Sequence, residues 1–504
     1  MTLSRRTVLG GALAGAAALA LAGCGGSGGS GDRLRVAFPG GGSRESLDPH
    51  VVPQFVDQAR AKACFDVLAG WSQDMAPVPR LAESWESDAS GTRWRIRLRS
   101  ARWHDGRPVT ATDVLATWRR IADPATSASA AASYRTVDFA TSRAASATEL
   151  DVVLSAPNSF FPLAWGAPGA EILPEGRIDP ARPVGCGPFR FVSFTPGRSA
   201  VYSAYEGYWD GVPPSRELEF VVIDDENARV GALLSGQVAW VHDLRPTSAR
   251  QLESDSRARL VSAPDSNTLF LPVRVDRPPF SDPRLREAVR LGIDREALVR
   301  VVLLGRGRPG NDMFGAGLEY YPTDVPQVTR DVDRARALVT EAGAQGLAFD
   351  LQTSTASPTF DPAAGLIAQQ LTEIGLRPTV RQLPSENYFT AIRTTGVASL
   401  TRSGTLPIPD NLARRAVSTA TQANYTGFRD TRIDDLVARA SAATDPAVRD
   451  AAVREAQLLL RAESGNLVWA SGAYDVGTAA HLAGYDVART NSATWARFDR
   501  ARLG

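Results

Sequence analysis

The sequence predicts a mixed α/β fold divided into about three domains. A chain of 504 residues is long enough for about three domains of ordinary size. Residues 92–99, TRWRIRLR, alternate apolar and basic side chains, which is typical of a strand with one buried face. Further on, a strand at 347–353, a helix at 361–374 and a strand at 378–383 form a β-α-β unit. The C-terminal half is therefore expected to contain an α/β lobe.

Other elements follow from local signals. Further short strands are predicted at 33–38, 149–155, 189–194 and 218–224. Asp282 and Pro283 cap a helix over LREAVRLGI, and Asp294 caps a helix over REALVRVVLLG that ends at Gly305. The stretch 125–147 is rich in Ala and Ser with weak periodicity, so it is expected to be irregular surface within an early domain.

The charges of the chain are nearly balanced, with 56 basic and 55 acidic side chains. Proteins that bind nucleic acid need a clustered excess of Lys and Arg, so nucleic acid is not an expected partner. Lys62 is the only lysine, and position 59 is Ala. The Ser-x-x-Lys acylase pattern therefore fails, and a P-loop NTPase or a Schiff-base enzyme would have to use Lys62 itself.

Signatures of catalysis and of metal binding are missing from the sequence. None of the four histidines stands in a His-Glu-x-x-His arrangement, and there is no Cys-x-x-Cys pair and no Gly-x-Ser-x-Gly elbow outside the Gly/Ser stretch that follows Cys24. A pair of catalytic carboxylates is unsupported among 55 candidates. The chain has many aromatic residues (10 Trp, 10 Tyr and 18 Phe), which suits a receptor whose ligand cleft is lined with aromatic rings. We expect no catalysis, no cofactor and no metal site.

The N-terminus resembles an export signal. Residues 1–23 contain the twin arginine Arg5-Arg6 and a short apolar run, and Leu-Ala-Gly-Cys24 is similar to a bacterial lipobox. Residues 24–31 then form a lipidated Cys24 and a flexible Gly/Ser tether. The prediction is an exported protein, anchored by lipid to the outer face of the cell membrane. The alternative is an ordinary secretory signal in which Cys24 is incidental.

Two cysteines remain after export, Cys64 and Cys186. An even pair in an oxidising compartment allows a disulfide, but two separate buried thiols explain the sequence equally well.

Several consecutive segments resemble one family, the extracellular solute-binding proteins of family 5, which serve ABC importers of dipeptides, oligopeptides and nickel. The matching segments are SLDPH (46–50), PVPRLAESWESD (77–88), TRWRIRLRSARWHDGRPVTATDVLATW (92–118), PVGCGPFRF (183–191), YEGYWDG (205–211), PPFSDPRLREAVRLGIDREAL (278–298) and IAQQLTEIG (367–375). Most of these residues suit scaffolding roles: 104–106 fit a turn, and Asp113 fits the start of a helix whose apolar face is Val114, Trp118 and Ile121.

The resemblance implies a two-lobed periplasmic-binding-protein-like fold of type II, in its three-domain peptide-binding variant, with a hinge. Domain I would comprise residues 32–66, 185–270 and 470–504; domain II, residues 67–184; and domain III, residues 271–469. Ligand would be enclosed between domains I and III. Cys64 and Cys186 both fall near the boundary of domains I and II, which favours their disulfide.

The resemblance also implies where ligand binds, and this chain departs from it there. Peptide-binding members carry an acidic residue in a loop after a domain III strand, which pairs with the α-amino group of the peptide. In LTRSGTLPIPDN (400–411) that position falls near Ser403 or Gly404, with Arg402 beside it and Asp410 several residues beyond. A second departure is Arg274, where relatives usually have Asn.

Two arginines in the cleft, Arg274 and Arg402, would attract a carboxylate or phosphate and repel an ammonium group. The alternative is that both side chains extend into solvent. Gln54 and Phe55 are expected to line the domain I side of the cleft. We therefore expect a ligand other than a simple peptide held by its amino terminus.

The function implied is a monomeric substrate-binding lipoprotein of an ABC importer, which takes up a peptide or another small polar solute. Its partners would be two permease subunits and cytoplasmic ATPases. The alternative is a signalling or cell-envelope interaction module that keeps the fold without transport.

Overall fold

The computed structural model describes residues 33–40, 42, 45–51, 54–420 and 423–504. The export signal, Cys24 and the tether expected at residues 1–31 lie outside this part of the chain. Among the described helices, none is both long and apolar enough to span a membrane.

The strands are numbered in chain order. They are β1 (Arg33–Phe38), β2 (Ala69–Trp71), β3 (Pro77–Pro79), β4 (Ala82–Ser87), β5 (Arg93–Leu98), β6 (Arg143–Ala144), β7 (Glu149–Val153), β8 (Phe189–Thr195), β9 (Ser199–Ala204), β10 (Glu217–Val222), β11 (Trp240–Val241), β12 (Ala258–Pro272), β13 (Gly307–Pro309), β14 (Ala348–Thr353), β15 (Arg377–Gln382), β16 (Ala398–Ser399), β17 (Thr401–Gly404), β18 (Asn466–Ala479), β19 (Leu482–Ala483) and β20 (Arg502–Leu503).

The helices are numbered in the same way. They are α1 (Phe55–Cys64), α2 (Ala111–Ala122), α3 (Phe161–Ala164), α4 (Glu226–Leu234), α5 (Pro246–Glu253), α6 (Pro283–Gly292), α7 (Arg295–Val302), α8 (Val332–Glu341), α9 (Phe360–Glu373), α10 (Tyr388–Thr394), α11 (Ile408–Arg415), α12 (Thr431–Ala442) and α13 (Pro446–Glu463).

A mixed sheet organises much of the molecule. Its strands follow the order β17-β12-β18-β11-β1-β10-β9-β8, and β13 also pairs with β18. β1 runs parallel to β10 and β11, and the other pairs in this sheet are antiparallel. Separate sheets are formed by β15-β14-β16 and by β4-β5-β7-β6. The fold is thus α/β, as the sequence predicts.

Three large apolar clusters fill the described interior. The first core lies around β1, β9, β10 and β11. The second core collects residues 68–172 together with apolar side chains of α11, α12 and α13, and the third core is built on α6 to α9 and β14. The helices at 408–456 therefore pack with the segment predicted as domain II, although the predicted boundaries assign them to domain III.

Two long strands connect the first core to the third. β12 and β18 pair in antiparallel from Ala258↔Ala479 to Pro272↔Asn466, with register shifts on both sides of Leu269. Ala263 and Tyr474 belong to the first core, whereas Leu271 belongs to the third. Because register shifts bend a strand pair, this ribbon is the natural place for a hinge between the two cores.

Several local predictions are confirmed. The β-α-β unit is β14, α9 and β15, and its two strands pair in parallel. Asp282 and Asp294 accept hydrogen bonds from the first turns of α6 and α7. At α2, Thr110 and Asp113 form a capping box, and the predicted apolar face is fully buried: Val114, Trp118 and Ile121.

The turn at residues 104–106 is also present, since Gly106 adopts φ +90° and its N–H donates to the carbonyl oxygen of Trp103.

The stretch 125–147 differs from its prediction as irregular surface. It forms short 3-10 turns at Pro124–Thr126 and Ala131–Tyr134 and the strand β6. Tyr134 is completely buried, packs against the rings of Trp118 and Phe161, and donates a hydrogen bond to the carbonyl oxygen of Ala164. Alanines carry too little hydrophobic contrast to reveal this burial in the sequence pattern.

Candidate ligand-binding site

An ion pair joins β17 to the residues that follow β11. Nη2 of Arg402 lies 2.7 Å from Oδ2 of Asp243, and the two side chains are only 17% and 12% exposed. Burial disfavours the charged carboxylate, but Arg402 and His242 hold the pKa of Asp243 below its usual range. β17 directly follows residues of the third core in the chain, whereas Asp243 comes shortly after β11, a strand of the first core. The pair therefore links the side of the hinge ribbon that carries the first core to the side that carries the third core.

A small cavity of about 30 Å³ surrounds this ion pair. Arg306 and Asp475 also line it, and Nε of Arg306 lies 2.6 Å from Oδ2 of Asp475. Two carboxylates thus face two guanidinium groups, and the charges balance. The volume has room for roughly one or two water molecules, so a solute would not fit beside the pair in this conformation.

A cavity of about 270 Å³ lies between the segment predicted as domain II and the segment predicted as domain III. Aromatic rings of Trp85, Trp94, Phe160 and Tyr320 line it. Phe160 and Tyr320 come from opposite sides and meet edge to face with 6.1 Å between ring centroids. Burial, together with the neighbouring Glu319, raises the pKa of Tyr320 to about 12, so its hydroxyl remains protonated.

Charged side chains also line this cavity. Asp74 and Glu319 are exposed acids, and the guanidinium of Arg449 lies 5.8 Å from the ring centroid of Phe160. Aromatic rings combined with a few charged side chains are the usual lining of a site for a small solute.

The C-terminal segment of the chain contacts two residues that are close in sequence to the cavity wall. The backbone N–H of Arg489 donates to Oε1 of Gln73, which precedes Asp74 in the wall. Nδ2 of Asn491 donates to the carbonyl oxygen of Thr405, two residues before wall residue Pro407. The residues that line the cavity all belong to predicted domains II and III, although the ligand was expected between domains I and III.

The residues predicted on the domain I side occupy the start of α1. Gln54 is exposed and is the N-cap residue, and its N–H donates to Oδ2 of Asp57. The ring of Phe55 lies 5.1 Å from that of His242 and 5.3 Å from that of Trp495. Since His242 precedes Asp243 in the chain, Phe55 is near the ion pair.

The other predicted ligand residues have partners within their own region. Arg274 is 8% exposed, and its guanidinium pairs with Asp276. Oγ of Ser403 accepts a hydrogen bond from Arg415, and Asp410 pairs with Arg414 at 2.7 Å. Of the two predicted arginines, only Arg402 thus bridges the two sides of the hinge ribbon. Arg274 is held by the nearby Asp276, and its side chain is buried rather than extended into solvent.

Cys64 and Cys186 are both buried and are free thiols in the structure. Their segments are adjacent, because the N–H of Gly187 donates to the carbonyl oxygen of Cys64. This closeness permits a disulfide that the structure does not contain, so their disulfide stays a prediction. Within the described ranges, no group of three or more His, Cys, Asp or Glu side chains is arranged to hold a metal ion.

Comparison with known proteins identifies the family. Residues 76–424 match the model described as bacterial extracellular solute-binding proteins, family 5 Middle. The chain belongs to this family. The glutathione-binding protein GsiB of Pectobacterium atrosepticum is similar to this family 5 protein, with 25% identity over 366 residues, which are 71% of each chain.

Solved structures share the fold. The binding protein AgaA in complex with agropinic acid, from A. tumefacien R10, superimposes with a TM-score of 0.82 at 23% identity, over 94% of this chain and 99% of its own. DppA from Helicobacter pylori in complex with the peptide STSA gives a TM-score of 0.82 at 19% identity, over 94% and 98%. The predicted periplasmic-binding-protein-like fold is thus confirmed.

Several residues of the site were not found from the sequence of this family 5 protein. They are Asp243, Trp85, Phe160, Tyr320 and Arg449. Trp94 stands in the strand predicted at 92–99 and Trp85 in the family segment 77–88, but a single tryptophan is more often in a core than in a cleft. Asp243, Tyr320 and Arg449 belong to no motif, and only the packing of distant segments brings them to the site.

Proposed function

We propose that this protein is the substrate-binding component of an ABC importer. It captures a small polar solute in the cleft at the 270 Å³ cavity and delivers it to two permease subunits, which cytoplasmic ATPases energise. The observation that carries the proposal is this cavity, whose aromatic and charged lining residues come from segments on both sides. The protein acts as a monomer and has no catalytic activity.

The solute carries a carboxylate and is not a simple peptide held by its amino terminus. Ser403 lies where peptide-binding relatives are expected to carry an acid, and Asp410, the nearest carboxylate in that loop, is engaged by Arg414. Glutathione and agropinic acid, the ligands named for two similar proteins, both carry carboxylates. Arg402 forms the ion pair with Asp243 at the hinge ribbon, and Gln54 and Phe55 form the wall beside this pair.

The protein is exported and anchored to the outer face of the cell membrane by lipid on Cys24. The lipobox-like sequence before Cys24 and the Gly/Ser stretch after it support this part of the proposal.

Thermal unfolding of the purified mature protein tests the binding role. Glutathione, agropinic acid, di- to pentapeptides, sugars and nickel are each added in excess. A ligand that binds only the folded state stabilises it by RT ln(1 + [L]/Kd), so we expect a carboxylate-bearing solute to raise the melting temperature. Free peptides whose binding disappears on N-acetylation would show that a carboxylate anchors the amino terminus and that this ligand class is wrong.

A further inference from the structure

Three charged side chains line the 270 Å³ cavity, and none of them forms an ion pair with another described residue. They are Asp74, Glu319 and Arg449. Asp74 and Glu319 are exposed, whereas Arg449 is half-buried and its Nε atom has no hydrogen-bond partner among the described residues. The lining therefore offers a solute two negative charges and one positive charge that the contacts within the chain do not use.

Aromatic rings supply much of the remaining lining. Trp85, Trp94, Phe160 and Tyr320 line the cavity, and the planes of Phe160 and Tyr320 lie at 83° to each other. Two rings at a right angle form a corner in which one rounded group touches both. The face of a ring attracts a cation that lies within about 6 Å of its centroid. The guanidinium of Arg449, 5.8 Å from the centroid of Phe160, already makes such a contact.

Charges of both signs surround the hydroxyl group of Tyr320. Burial raises the pKa of this group, Glu319 and Asp450 raise it further, and Arg449 opposes them. Because charges act strongly only over short distances, the cation and the two acids lie around the same part of the cavity. A solute in the corner between Phe160 and Tyr320 is therefore close to both signs of charge.

The volume of the cavity sets the size of the solute. A water molecule occupies about 30 Å³ in the liquid, so 270 Å³ has room for about nine water molecules. A compact solute of about ten non-hydrogen atoms fills the same space. Such a molecule is large enough to carry two opposite charges that are separated by a few bonds.

We propose that this cavity binds a small zwitterion, whose carboxylate pairs with Arg449 and whose quaternary ammonium group lies against the aromatic rings beside Glu319 and Asp74. A quaternary nitrogen has no N–H donor, so ring faces and nearby carboxylates are sufficient to hold it. The inference rests on the proposed function, because it names the solute class of the same cleft. It agrees with a carboxylate-bearing solute that is not a peptide held by its amino terminus.

Four probes of nearly equal length separate the two charges. They are γ-butyrobetaine, its carbon isostere 5,5-dimethylhexanoate, its amide 4-(trimethylammonio)butanamide, and 4-aminobutyrate, in which hydrogens replace the methyl groups. Each is titrated into the mature protein by isothermal titration calorimetry. We expect γ-butyrobetaine to bind at least about tenfold more tightly than the isostere, which lacks the cation, or the amide, which lacks the carboxylate. We expect 4-aminobutyrate to bind more weakly than γ-butyrobetaine.

Two variants assign the charges to residues. Arg449→Met should bind γ-butyrobetaine and its amide with equal affinity, because the partner of the carboxylate is gone. Glu319→Gln should reduce the preference for γ-butyrobetaine over the carbon isostere by about threefold, since an exposed charge contributes little. Glu319 is exposed, so this variant tests the site even where Arg449→Met is less stable.

The matched controls are Arg502→Met and Glu206→Gln, two exposed residues that do not line this cavity. Both should bind the four probes as the wild type does. Thermal unfolding of each variant without ligand checks that it is folded.

The proposal is wrong if the wild type binds none of the four probes, if the isostere or the amide binds as tightly as γ-butyrobetaine, or if both site variants keep the wild-type preferences. Tighter binding of 4-aminobutyrate would overturn the assignment of a quaternary nitrogen. These outcomes are separate from the importer role. A solute that stabilises the wild type, Arg449→Met and Glu319→Gln equally would refute this assignment and leave the proposed function standing.

Discussion

Arg402 and Asp243 form a largely buried ion pair, with 2.7 Å between Nη2 and Oδ2, that links the two sides of the hinge ribbon. Removing one partner leaves the other charge without compensation in a poorly hydrated place. We expect Arg402→Met to lower the free energy of unfolding by about 2 kcal/mol, measured by urea denaturation. The double variant with Asp243→Asn should recover most of this loss.

The exposed pair Arg454–Asp324 provides the matched control. Its side chains are 41% and 69% exposed, so Arg454→Met should leave the free energy of unfolding nearly unchanged. The pKa of Asp243 is held below its usual range, so its contribution is present above about pH 4 and is lost as the pH falls through the folded pKa. An equal loss in both arginine variants would contradict the role given to the Arg402 pair.

His104 should make the protein less stable in mild acid. Burial lowers its pKa from 6.5 to about 4, although its Nε2 atom lies 3.0 Å from the carbonyl oxygen of Gly187. Below pH 6.5 the unfolded chain takes up a proton that the folded protein refuses, so stability falls as the pH drops from 6.5 towards 4.

The variant His104→Gln keeps an N–H donor at that place and does not titrate. Between pH 7 and pH 5.5 the wild type should lose about 1 kcal/mol more than this variant. Parallel pH profiles for the two proteins would show that His104 is accessible to protons in the folded state.

Cys64 and Cys186 should react slowly with thiol reagents in the native protein. Both are buried, and burial raises the pKa of Cys64 to about 12, which keeps the thiol protonated and unreactive. In a chain that begins after Cys24, labelling after unfolding without reductant should give two thiols if Cys64 and Cys186 stay reduced, as they are in the structure. Zero thiols before reduction and two afterwards would establish the disulfide instead.

Cys24 should carry lipid in the native host. Mass spectrometry of the mature N-terminus is expected to give a diacylglyceryl-modified Cys24, and Cys24→Ala should leave the protein unprocessed or released, because a single short apolar segment does not replace an acyl anchor. Cleavage at another residue, or an unmodified Cys24, would favour the ordinary secretory signal.

Local signals revealed much of the fold. The boundaries of β1, α6 and the β14-α9-β15 unit follow from caps, alternation and apolar runs that act over a few residues. The two strands of the hinge ribbon, β12 and β18, gave no such signal. β18 is buried on both faces and contains small residues such as Gly472 and Gly477, so it lacks the alternation of a half-exposed strand.

The site was harder to predict than the fold because its contacts join distant parts of the chain. Arg402 was found as a departure from a family pattern, but its partner Asp243 stands in no motif. Arg274 looked equivalent in the sequence, yet the nearby Asp276 engages it within its own region. The sequence does not show which charged residues will pair, because the packing of the three cores determines the partners.

Uptake by living cells tests the importer role most directly. A strain that lacks this protein and its parent are grown in a medium that contains glutathione, agropinic acid, peptides and N-acyl amino acids, and the loss of each solute from the medium is followed by mass spectrometry. We expect the parent to remove at least one carboxylate-bearing solute that the deletion strain leaves behind, and the wild-type gene to restore its removal. Identical depletion of every solute by the two strains would contradict a role in transport.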